Sequence, residues 1–586
     1  MKSYDSKMIG KLFFRLLPIH ILIMVVASLN GIIDSAIAGK VIGPEALAAT
    51  GLFAPVNKLI ETVNLVLLSG AQILCGQYLG KNRLDKTREI FTLDMAMMAV
   101  AALVMTALCA LFPGTVASVL GASDQLKPLL IKYTLGCTPG FIALMGAAQM
   151  SAFLQLEQQE KRTYLGVFLM AASNAALNIL FVPVLGLGMF GLGLATSVSN
   201  LIFFAVQASW FHSGRAQIRL VYHRLDLSFI KPIIKTGLPG AVAGVFQVFR
   251  GIALAYILTS FIGDEGVSAY AAVCSFAGVF FATVGGVGNA TRLLLSVYMG
   301  EEDRVGLKLI MKIALTRGIA LISSVLLVFV ALAGPLTRIF YSPADGAIYR
   351  YALIGFRAMP LSLIMSGAFL VFLYFYQCAG RIKIANLLSL TDGFFGMAVP
   401  ALLLVPLMGM NGIWLAQNLN GVISLAIIFV YTLLCCRRLP RTLEDYMPLP
   451  PGFGVDERDR LDFSIHSTEE AVRVSRRVCE FCREHGVDKR RTNFAGLCAE
   501  ELAVNIVQHG FNDGKKHSVD VRIIFKEGAV TIRLKDDCRA FDPKETDDLF
   551  SAEDPTHNLG LRLTKRIARN MTYQHTLGLN VVTIVI

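Results

Sequence analysis

Ile33-Asp34-Ser35-Ala36-Ile37-Ala38-Gly39 ends an apolar run that begins near Phe14, and the run carries one carboxylate, at Asp34. A run of this length satisfies the roughly 20 residues that a helix needs to cross a bilayer. Inside such a helix a carboxylate costs about 2.5–3.5 kcal/mol on insertion scales, so it is expected to face a cavity and to have a job there. A carboxyl in that setting can gain and lose a proton in each working cycle. The plainer alternative is a helix-end Asp that caps a loop, since Gly39 follows closely.

Working outward, the same kind of run recurs eleven times. Spans are expected near 14–38, 47–79, 90–112, 130–155, 163–184, 189–211, 237–262, 267–299, 311–334, 350–377, 384–406 and 411–436. The composition agrees: 55% hydrophobic, 16% charged and a mean hydropathy of +0.60, where soluble domains carry about a quarter charged residues. After residue 452 the pattern becomes that of an ordinary soluble domain, near neutral in charge, so the net charge of +12 belongs to the membrane part. With the N-terminus inside, the cytoplasmic segments hold 23 Lys and Arg against 5 on the other side. That bias orients helices, and it argues against nucleic acid, which would want a basic face on a soluble domain. The expected address is the cell (inner or plasma) membrane, multi-pass, with both termini cytoplasmic and the lipid bilayer as first partner. No cleavable signal is evident, since Met1–Lys11 leads straight into the first span.

An internal repeat organises these spans. Ile42-Gly43-Pro44-Glu45-Ala46 matches Ile262-Gly263-Asp264-Glu265-Gly266, and Tyr78-Leu79-Gly80 matches Tyr298-Met299-Gly300, both at an offset of 220. Gly188-Met189-Phe190-Gly191 matches Gly409-Met410-Asn411-Gly412 at 221. Two six-span halves in the same orientation are the construction of transporters that rock two bundles around a central cavity. The expected divisions are residues 1–222 and 223–439 for the halves, a proline-bearing linker at 440–453, and a cytoplasmic domain at 454–586.

The first-span stretch, with Ile42-Gly43-Pro44-Glu45-Ala46-Leu47-Ala48-Ala49, resembles the multidrug and toxic compound extrusion (MATE) family. Gly76-Gln77-Tyr78-Leu79-Gly80 fits as well, as do Asn178-Ile179-Leu180 and Gly191-Leu192-Gly193-Leu194-Ala195-Thr196. The resemblance covers about residues 8–437. It implies an all-α membrane domain of twelve helices that exports small organic or xenobiotic compounds, cationic ones by default, coupled to entry of H⁺ or Na⁺. It also implies that polar residues of the fifth span and Thr196 of the sixth act beside Asp34. From the residues themselves, Asn174 and Asn178 lie at i, i+4 and share one helix face. There they either serve Asp34 or hydrogen-bond spans together. Some family members have a carboxylate where Asn178 stands, so its absence favours proton over sodium coupling. Glu61, Arg250 and Asp392 are further charges inside apolar runs and are candidates for the substrate cavity. Arg250 in such a cavity would instead suit an anionic solute. The cysteines form no framework, and Cys479-Glu-Phe-Cys482 stands alone in a helical pattern, as expected of helix packing.

Beyond Pro451 the order is a strand (461–466), helices (468–485 and 490–509), strands (518–526 and 529–536), an irregular loop (537–557), a helix (558–570) and a hairpin (571–586). That order makes an α+β two-layer sandwich. Glu501-Leu502-Ala503-Val504-Asn505, Asp536-Asp537-Cys538-Arg539-Ala540-Phe541-Asp542-Pro543 and Asn558-Leu559-Gly560-Leu561 resemble the ATP-binding fold of histidine kinases and anti-sigma-factor serine kinases. The resemblance implies ATP at Asp536, Asn505 and Gly560, Mg²⁺ on Asn505 and Glu501 as general base toward a protein hydroxyl. Cys538 and Asn558 depart from glycines of that pattern, which puts close approach of the backbone to the ligand in doubt. No P-loop occurs, against ATP-driven pumping, and no histidine-bearing dimerisation helix precedes the domain. The leading expectation is an antiporter with an ATP-binding regulatory domain that meets a cytoplasmic protein. A flippase for lipid-linked precursors and a membrane-tethered serine/threonine-kinase-like signalling protein are the alternatives.

Overall fold

The computed structural model describes residues 6–221, 225–342, 346–450, 452–512, 514, 517–539, 564, 566 and 568–586. The chain divides into two units. The larger is Phe13–Gln155 with Gln159–Leu449, and the smaller gathers Pro450–Ile586 with the short segments Met1–Leu12 and Leu156–Gln158.

Among the described residues twelve helices are long and apolar enough to cross a membrane. They run Met8–Ile42, Pro44–Gly80, Leu84–Leu111, Lys127–Leu156, Glu160–Val184, Gly188–His212, Leu227–Phe261, Ala277–Gly300, Arg304–Ala331, Ala347–Cys378, Ile382–Met408 and Met410–Cys436. Their outer faces are apolar and bare, as at Leu103, Phe168, Leu403 and Leu407. That is unfavourable in water and natural against lipid. Several spans break where a flat hydropathy profile cannot show it. The expected eighth span 267–299 is a helix Asp264–Cys274 followed by the span Ala277–Gly300.

Small residues set the seam between the two halves. A Cβ on Gly237 would lie 1.9 Å from the Val66 carbonyl oxygen, and one on Gly70 would lie 2.1 Å from that of Ile233. The second and seventh spans therefore touch backbone to backbone. Further along, Gly80 meets the Val297 carbonyl at 2.1 Å and Gly300 meets that of Gln77 at 2.0 Å by the same measure. Gly80 and Gly300 are the pair related by the 220-residue repeat, so the seam carries the internal symmetry.

In the smaller unit, strands β1 (Arg460–Ile465), β2 (Val519–Lys526), β3 (Ala529–Asp536), β4 (Asn570–Thr576) and β5 (Leu579–Val585) form one antiparallel sheet ordered β1-β2-β3-β5-β4. Alternation puts Val519, Val521, Ile523, Val530, Ile532 and Leu534 on one face. That face packs on Val474, Val478, Phe481, Cys498, Ala499 and Leu502 from the helices Val474–Glu484 and Lys489–Gly510. This is the expected two-layer sandwich. The irregular loop expected at 537–557 and the helix at 558–570 fall largely outside the described residues.

Candidate functional site

The first span brings Asp34 against the fifth and sixth. Asn178 Nδ2 donates to Asp34 Oδ1 at 2.6 Å, and Thr196 Oγ1 donates to Oδ2 at 3.1 Å. Asn178 also donates to Asn174 Oδ1 at 3.2 Å, and Asn174 itself interacts with the Asp34 carboxyl, so both amides belong to the site. Both asparagines are fully buried, at 1% and 0% exposure. All four residues expected at the coupling site are thus in one network. Asn178 Oδ1 is buried without a hydrogen-bond partner, which leaves an acceptor waiting beside the carboxylate for a proton donor or a cation. The fifth span changes to a π-helical turn at Leu180–Val184, directly after Asn178. Such turns are frequent at functional positions because they re-aim side chains.

The second half builds its own polar cluster from the seventh, eleventh and twelfth spans. Arg250 donates to the Asp392 backbone oxygen at 2.9 Å, and Asn420 Nδ2 donates to Asp392 Oδ1 at 2.9 Å. Asp392 sits inside another π-helical turn, Thr391–Phe395. Asn420 was missed in the sequence, although an amide inside an apolar span is a signal of the same kind as Asn178. Glu61 is placed differently. It is exposed and pairs with Lys58 at 3.1 Å one turn away, apart from both clusters. Arg292 donates to Gln72 at 3.1 Å and lies over the Tyr374 ring, an interior structural tie.

In the smaller unit Asp536 ends β3 and is 2% exposed. Its Oδ1 accepts from Asn580 Nδ2 at 2.7 Å and from Cys538 N–H at 3.0 Å. Burial pushes its carboxyl above the usual carboxylate range, opposed by hydrogen bonds from Asn580 and from the Cys538 backbone and thiol. A buried carboxylate held by three donors fits the acceptor that an adenine amino group requires. Glu501 and Asn505 are half-buried along one stripe of the helix Lys489–Gly510, while Leu502, Ala503 and Val507 point into the core. Asn505 can offer an oxygen to Mg²⁺. Gly560 and its glycine box lie outside the described residues.

Twelve spans in two halves around buried polar clusters have the build of a membrane transporter. The MatE family model matches residues 20–184 and 239–399, and the chain belongs to that family. Residues 465–586 match the histidine kinase-like ATPase domain. A probable multidrug resistance protein NorM from Acinetobacter baylyi is 23% identical over 316 residues, 52% of this chain and 69% of that protein. Two solved structures share the fold. A Vibrio cholerae MATE transporter, a VcmN mutant, gives a TM-score of 0.68 at 15% identity, covering 76% of this chain and 99% of that one. A MOP superfamily transporter from Pyrococcus furiosus, described as having a binding pocket of reverse polarity, gives 0.66 at 19%, covering 74% and 97%.

Proposed function

We propose that the chain is an antiporter exporting small organic compounds in exchange for H⁺ or Na⁺, with Asp34 as the coupling carboxylate. The supporting observation is the three-span network on Asp34 beside the unpartnered Asn178 oxygen. A proton arriving on Oδ1 or Oδ2 turns an acceptor into a donor. The new O–H faces Asn178 or Thr196, which now donate to that carboxylate. Asn178 Oδ1 can accept instead if the amide turns, so protonation rearranges bonds joining the first, fifth and sixth spans. Since the network has only one carboxylate, H⁺ suits it better than Na⁺, which would draw on the Asn174, Asn178 and Thr196 oxygens. The smaller unit binds ATP with Mg²⁺ through Asp536 and Asn505 and regulates the transporter or a cytoplasmic protein. The positive loop charge supports a reading with both termini in the cytoplasm.

The test is dye export from liposomes under an imposed pH gradient, comparing the wild type, Asp34→Asn and a truncation at Pro451. Gradient-driven export should fall to background in Asp34→Asn, and unchanged export would overturn the coupling role. Export by the full chain should respond to ATP, a response lost on truncation. Arg250 favours a second reading in which the solute is anionic. Matched anionic and cationic dyes in the same liposomes separate the two.

A further inference from the structure

We propose that the smaller unit carries a zinc site made of His517, Asp537 and Cys538. The sheet register builds it. Val519 of β2 pairs with Asp536 of β3, so the residues just before β2 and just after β3 are brought side by side. One donor atom each from the imidazole, the carboxylate and the thiol lie within 4.8 Å of one another. His517 Nδ1 is 3.0 Å from Asp537 Oδ1, which also accepts from Ser518 N–H at 3.3 Å.

The donor set selects the metal. Nitrogen, sulfur and carboxylate oxygen together suit Zn²⁺, which takes Cys, His and Asp at about 2.0–2.3 Å in tetrahedral geometry. Ca²⁺ and Mg²⁺ prefer all-oxygen shells. Three protein donors leave one tetrahedral position for water or another ligand. The local packing accommodates the thiol, since a Cβ on Gly510 would lie 2.6 Å from Cys538 Sγ. The Phe511 ring lies beside the imidazole at 5.6 Å. Lys11 Nζ is 3.1 Å from Asp537 Oδ2, leaving the metal to the His517 side of that carboxylate.

Binding replaces the S–H bond of Cys538 with an S–Zn bond and releases the thiol proton to solvent. The thiol then no longer donates to Asp536. Zinc occupancy and the donor set of the buried Asp536 carboxylate are linked through one residue.

The probes are Zn²⁺, in competition with a chromogenic chelator, and Co²⁺ as a spectroscopic substitute, on the full chain in detergent. The wild type should take up Zn²⁺ at this site, and its Co²⁺ form should show a thiolate-to-metal charge-transfer band. Cys538→Ser should remove the band, and Cys538→Ser and His517→Gln should each weaken Zn²⁺ binding by at least about 100-fold. A Cys479→Ser/Cys482→Ser variant should keep both. Thermal melts confirm folding, and His517→Gln at a half-buried position covers the case in which the Cys538 variant misfolds. No thiolate band in the wild type, equal affinity across the variants, or loss only in the Cys479/Cys482 variant would overturn the site.

Discussion

Asp94 and Asp34 show how differently two carboxylates in the same membrane bundle are treated. Asp34 is bonded at both oxygens, whereas Asp94 in the third span is fully buried and neither of its oxygens has a hydrogen-bond partner. An unmet buried polar group costs about 1–3 kcal/mol. Asp94→Ala should therefore leave gradient-driven export intact and hold or raise the melting temperature in detergent, although it deletes a charged residue type from a span. Loss of export would give Asp94 a working role. Asp536 follows a different rule. Its carboxyl sits above the ordinary value because of burial, so it contributes stability that is fully present below the unfolded value of about 3.9. That contribution is lost as pH rises through the higher folded value. Asp536→Asn should flatten this pH dependence in unfolding of the smaller unit and keep it folded at neutral pH, while ATP affinity falls about tenfold or more, the loss of one charged hydrogen bond. Calorimetry against pH and a nucleotide titration check the two halves of that statement.

At the level of elements, the seam between the second and seventh spans makes the sharpest prediction. Gly237→Val would drive a side chain into the Val66 backbone, and overpacking of that kind costs about 1–3 kcal/mol. It should lower the melting temperature and slow export. Gly251→Ala on the same span, where nothing lies within 4 Å, should do neither. Much of this scale was legible in the sequence. The twelve spans, the parallel repeat and strands β1 to β3 follow from hydropathy and alternation, because burial against lipid or a core imposes both. Helix junctions within apolar stretches were not legible. Hydropathy records what a residue is buried in, not where the backbone bends, so the break at Ser275-Phe276 and the π-helical turns at Leu180–Val184 and Thr391–Phe395 left no trace. Asp34, Asn174 and Asn178 were found because polar groups in apolar helices stand out, whereas Thr196 came only from the family resemblance, because a hydroxyl in an apolar span bonds its own backbone too easily to stand out. Glu61 stood out equally and is exposed, paired with Lys58 and not joined to either cluster. Asn580 was invisible as the partner of Asp536, since strand pairing across 44 residues decides it.

For the whole molecule, each unit buries a core of its own. Truncation at Pro451 should leave a folded bundle that still exports dye under a gradient, with its melting transition within a few degrees of the full chain's. Collapse of the truncated bundle would show that the smaller unit is needed for folding. Such a bundle must close and reopen the same seam in every cycle of the proposed exchange. Long side chains would have to be frozen each time, at about 0.5–2 kcal/mol of lost rotamer entropy apiece. Glycine has no rotamers to lose. A seam lined by Gly70, Gly80, Gly237 and Gly300 closes with almost no side-chain ordering, so its strength rests on contact enthalpy and should vary little with temperature.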